Sequence, residues 1–134
     1  MMNQHFEVGQ VLDMSAAEGC GIKDTTVHHK VIGVVHQFGD RFLVKIRGNG
    51  KHQQFTTDSS ASIYARILPQ IFIRKDSHGM AVIRAKSPVE ALKLLRSYEG
   101  EDEFLSFKAT DADFVSVAVA ADDKPLAVLA HMSN

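Results

Sequence analysis

Apolar and polar positions alternate with a period of two through much of this chain. The clearest run is residues 31–57, VIGVVHQFGDRFLVKIRGNGKHQQFTT, which divides into three strands joined by two tight turns. Asn49-Gly50 lies between two alternating runs, and Asn-Gly is the preferred pair for a type I′ hairpin, which needs positive φ at both central positions. That turn sets a register: Gly48 opposite Lys51, Arg47 opposite His52, Ile46 opposite Gln53, Lys45 opposite Gln54, Val44 opposite Phe55. Alternation then puts Phe42, Val44, Ile46 and Phe55 on one face, and Arg41, Lys45, Arg47, His52 and Gln54 on the other. Gly39-Asp40 suits a type II′ turn, which sets Val35 opposite Val44 and Gly33 opposite Ile46.

On either side the pattern is weaker. Phe6–Met14 reads as a first strand interrupted by Gly9, followed by a small, polar, glycine-bearing loop at Ser15–Thr26. After the meander, Asp58 is placed to cap a short helical turn through Ile63, Tyr64 and Ala65, and Ile67–Ile73 reads as a strand. Strand, long loop, three-strand meander, short turn and strand resemble the layout of an SH3-like small barrel, over about residues 5–73. The resemblance is one of topology and implies no activity.

Residues 70–86 read as a second hairpin turning at Ser77-His78-Gly79. Its strands are apolar on both faces, as expected of central strands. Ser87–Glu99 is the main helix. Ser87 is its N-cap, Pro88 its first residue, and Glu90 completes a capping box. Ala91, Leu92, Leu95 and Tyr98 form its apolar stripe, and Gly100 ends it. Then come an acidic run at 99–103, a short strand at 104–108, and a last hairpin of 114–121 with 126–131. The expected fold is α+β and β-rich: an SH3-like barrel or bent antiparallel sheet, then a ββαβββ portion around one main helix, 87–99. A single compact domain over 1–134 with one shared core is expected, with 1–69 and 70–134 as sub-structures.

Composition narrows the function classes. The chain has 134 residues, 45% hydrophobic and 23% charged, ordinary for a globular protein with a sizeable core. Its one cysteine, Cys20, excludes an intramolecular disulfide. MMNQHFEV lacks the basic and apolar regions of a secretory signal, and no apolar run nears the ~20 residues of a membrane helix. A cytoplasmic protein without membrane contact is expected. The net charge of −1 hides an asymmetry: residues 1–98 hold 13 Lys and Arg against 8 Asp and Glu, and residues 99–134 hold 2 against 8.

Candidate chemistry is sparse. Seven histidines are present, but Cys20, His28 and His36 lack the close spacing of a zinc site. Cys20 in Glu-Gly-Cys-Gly has no neighbour in sequence to activate a thiolate. Asp111/Asp113 and Asp122/Asp123 read as turn residues, and no glycine-rich phosphate loop is present. No catalytic residue, metal ligand or cofactor is assigned.

The expected function is therefore a non-enzymatic interaction protein, of the accessory or inhibitor type of a bacterium or phage. It would bind a protein partner or itself as a homodimer, through Val115, Val117, Val119 and Phe38. A nucleic-acid-binding module using Arg41, Lys45, Arg47, Lys51, His52 and Gln54 is the second reading. An enzyme or small-ligand binder using the 15–29 loop is the third.

Overall fold

The structure, a computed structural model, describes residues 4–77, 79–100, 109–120 and 124–133. It is a β-rich α+β protein. The chain divides into two compact units, 1–67 and 68–134.

In the first unit the strands are β1 (Val11–Asp13), β2 (His28–Phe38), β3 (Arg41–Gly48), β4 (Lys51–Thr56) and β5 (Arg66–Leu68). The short helix α1 (Ser60–Tyr64) precedes β5, and the sheet order is β4-β3-β2-β1-β5. Among the described residues no ladder joins the β4 and β5 edges, so the sheet is open. The closed SH3-like barrel is not observed.

The β3–β4 hairpin forms as its sequence requires. All five expected pairs are present, and Asn49 (φ 52) and Gly50 (φ 73) both take positive φ. The β2–β3 hairpin differs. Gly39-Asp40 is its turn, with Gly39 at φ 54 and Phe38 opposite Arg41. Register shifts between His36 and Phe38 and between Val31 and Gly33 then bulge β2 twice, at Gln37 and Ile32. Val34, not Val35, is opposite Val44, and Gly33 is opposite Lys45, not Ile46. The first extra residue inverts the facing of 33–36 and the second restores it.

The inner face of this sheet carries Val31, Val44, Ile46 and Phe55, packed with Phe6, Leu12, Met14 and Ile22. Phe6 and Phe55 meet edge to face, with ring centroids 5.4 Å apart. Burying each such side chain contributes roughly 1.5–3 kcal/mol. Ser59, not Asp58, occupies the N-cap position of α1, and its hydroxyl donates to Thr56 O rather than capping the helix; Asp58 accepts from Thr56 Oγ1 at 2.7 Å and pairs with Arg41 at 3.5 Å. Arg66 on β5 reaches Asp13 on β1 at 3.0 Å.

The run expected as one strand, Ile67–Ile73, is two. Pro69, which cannot donate to a ladder, lies between β5 and β6 (Gln70–Asp76). In the second unit β6, β7 (Gly79–Ala85), β8 (Ser116–Val119) and β9 (Ala127–Ser133) form a sheet in the order β8-β6-β7-β9. The β6–β7 hairpin is thus central, as its two-sided apolar pattern implies. Asp76 pairs with Gly79, so Gly79 belongs to β7 rather than to the turn. The expected hairpin of 114–121 with 126–131 does not form. Its strands lie on opposite edges, because each central strand has one free ladder to fill.

Helix α2 (Pro88–Tyr98) begins at Ser87, whose hydroxyl accepts from Glu90 N–H at 3.1 Å. Glu90 Oε1 accepts from Lys86 N–H at 2.9 Å, one residue earlier than the expected box. Ala91, Leu92 and Leu95 pack on Phe72, Ala81, Ile83 and Ala85. Tyr98 leaves this stripe and is exposed, its ring 5.2 Å from that of His131. Thr110 and Asp113 form a capping box around the 3₁₀ turn Asp111–Asp113, so Asp113 serves as a turn residue. The acidic residues 101–103, the expected strand 104–108 and Asp122/Asp123 lie outside the described residues.

Candidate functional site

The outer face of the first sheet collects most of the predicted site residues. Residues two apart on a strand share a face about 7 Å apart, and neighbouring strands lie about 4.8 Å apart. Arg47 and His52 therefore form one row with Lys30, and Lys45 and Gln54 the next with Gly33. Leu43, Val35 and Thr56 form a third row, and Phe38 with Arg41 a fourth.

The two bulges change the chemistry of this face. They turn Val35 outward, where it is 45% exposed, and leave Ile32 40% exposed at the bulge itself. A Cβ on Gly33 would lie in ordinary contact with the Lys45 stem, 3.5 Å from its Cδ. With no side chain of its own, Gly33 leaves that space beside the Lys45 stem open. Ile32, Lys45, His52, Gln53 and Gln54 line an open groove of about 310 Å³ there. A face expected to be basic and polar is thus basic and aliphatic. The alternation hid this, because Val31, Ile32, Val34 and Val35 supply an apolar residue in either phase.

The cations are not equivalent. Arg41 pairs with Asp58 and lies 5.4 Å from the centroid of the Phe38 ring. Phe38 is 64% exposed at the turn. Lys51 alternates away from His52 to the opposite face and pairs with Asp24 at 3.0 Å. Lys45 and Arg47 are exposed and have no acidic partner among the described residues.

The loop before β2 is tied to the hairpin. The Gln53 side chain accepts from Lys23 N–H at 2.7 Å and donates to Lys23 O at 2.8 Å, imitating a strand neighbour. Asp24 has φ 55, and its carbonyl accepts from His29 Nε2 at 2.9 Å. Cys20 packs half-buried against the core, His28 is exposed, and His36 Nε2 donates to Gly39 O at 2.7 Å. Among the described residues no three His, Cys, Asp or Glu side chains could share a metal ion.

The other predicted residues lie in the second unit. Val117 is half-buried against the core, opposite Phe72. Val119 shares the Val117 face of β8 but is exposed, as is Val115 just before the strand, so exposure along this edge is uneven. A cavity of about 20 Å³ lies among Arg74, Asp76, Glu99 and His131, with His131 Nε2 3.2 Å from Glu99 Oε2. It has room for about one water.

Neither a protein-family model, nor a curated protein, nor a solved structure matches this chain. No helix among the described residues is long and apolar enough to cross a membrane.

Proposed function

We propose that this protein is a non-enzymatic binding module whose partner is a protein, held on the outer face of the first sheet. The observation that carries the reading is the mixture on that face. Exposed Ile32 and Val35 stand among Lys45 and Arg47, whose charges no described side chain neutralises. Aliphatic side chains beside free cations complement a polypeptide bearing carboxylates and apolar groups. Nucleic acid is the poorer fit. A single-strand platform stacks bases on aromatic rings, and this face carries aliphatics where those rings would be needed. Phe38, its exposed phenyl ring, stands at the turn and carries Arg41.

The test is a titration followed by backbone amide shifts. The two probes are a short peptide of alternating Glu and Thr and a single-stranded oligonucleotide of matched charge. The peptide is expected to shift Ile32, Gly33, Lys45, Arg47, His52 and Gln54, and to bind at least tenfold more tightly than the oligonucleotide. The reverse order would make the face a nucleic-acid surface, and no shift with either probe at low salt would remove it as a site.

A further inference from the structure

We infer that the free edge of β4 takes up an extended acidic peptide as an added antiparallel strand, an inference that rests on the protein-binding reading above. β4 is the terminal strand of its sheet and pairs only with β3. Thr57 N–H donates to Phe42 O at 2.9 Å, which fixes the phase of the ladder. The hydrogen-bonded pairs are then Val44–Phe55, Ile46–Gln53 and Gly48–Lys51, and the backbone groups of His52, Gln54 and Thr56 point away from the sheet. Thr56 O is taken by Ser59, whose N–H and hydroxyl donate to it at 3.0 and 2.6 Å. The N–H and C=O groups of His52 and Gln54 have no partner among the described residues.

Unpaired edges invite strand addition and are usually blunted by bulges, prolines or inward charges. Residues 51–56 pair with β3 without a bulge and contain no proline, and their one inward charge, Lys51, stands at the turn end of the strand and is paired with Asp24. What marks the occupant is charge. In an antiparallel pairing, residues opposite His52 and Gln54 exchange both backbone bonds with them and project onto the same outer face. Their side chains stand two strand spacings, about 9.6 Å, from Arg47 and Lys45, a gap that Glu and a long cation close between them. Glu at alternate positions, with its own N–H aimed at β4, is therefore the fitting ligand.

The experiment uses three forms of the Glu-Thr peptide: unmodified, N-methylated on every Glu, and N-methylated on every Thr. The Glu-methylated form should bind at least tenfold more weakly than the unmodified one, and the Thr-methylated form within about threefold. Gln54→Pro removes an N–H that bonds nothing in the fold, so the variant should remain folded and lose binding at least tenfold. Equal binding of all three peptides overturns strand addition and leaves the face reading intact. Failure of the unmodified peptide to bind overturns both. A concentration-dependent dimer of the free protein that Gln54→Pro abolishes would give the edge to a second copy and overturn the acidic occupant.

Discussion

The imidazole of His29 occupies the space that a side chain on Gly48 would need. A Cβ at residue 48 would overlap the ring at Nδ1, Cε1 and Cγ. The ring is fully buried, and Nε2 must carry its proton, because its partner is the Asp24 carbonyl. Nδ1 is left buried without a hydrogen-bond partner. Gly48 thus ends β3 with a glycine for a steric reason. Gly48→Ala should destabilise the fold by about 1–3 kcal/mol, the usual cost of overpacking. His29→Ala in the same chain should relieve most of that cost. Urea unfolding of the two single variants and the double variant checks this; additive losses would separate the two residues.

Gln53 holds the 15–27 loop through two bonds to Lys23. Gln53→Ala should cost about 1–2 kcal/mol, since a net hydrogen bond contributes about 1 kcal/mol. It should also speed hydrogen exchange at the Lys23 amide. Gln54→Ala, one residue along on the exposed face, should change stability by no more than about 0.5 kcal/mol.

Asp13 should confer acid sensitivity on the first unit. Its carboxyl is lowered from 3.8 to about 2, chiefly by the Ser15 backbone N–H, then by the Ser15 hydroxyl and by Arg66. A depressed folded-state value means that the stabilisation is present above about pH 4 and lost as pH falls through about 2. Solvent screening at Arg66, the more exposed partner, holds this pair to about 1 kcal/mol or less. Asp13→Asn should flatten the stability profile between pH 4 and 2 and leave it unchanged in shape near neutrality.

The β3–β4 hairpin is legible in the sequence because two signals agree there: Asn49-Gly50 demands a turn, and the strands beside it alternate cleanly. β2 is not, because its apolar residues fit either phase and a bulge leaves no mark on such a run. The break at Pro69 was written in the chain, yet the apolar run around it masks a change of sheet. β8 and β9 are close in sequence, but the edge each fills is set by the β6–β7 hairpin, a tertiary demand. Of the candidate site, the cations Lys45 and Arg47 could be read directly. The outward turn of Val35 depends on the bulges, and the diversion of Lys51 to Asp24 depends on a loop 27 residues earlier in the chain.

The affinity of the Glu-Thr peptide for three forms of the protein tests the central claim most directly. The forms are the wild type, Lys45→Glu with Arg47→Glu, and Ile32→Ser with Val35→Ser. If the outer face of the sheet holds an acidic polypeptide through both kinds of side chain, each double variant should bind at least tenfold more weakly, about 1.4 kcal/mol. The charge-reversed form should lose the salt dependence as well. Unchanged affinity in the charge-reversed variant, with the fold intact, would contradict the account.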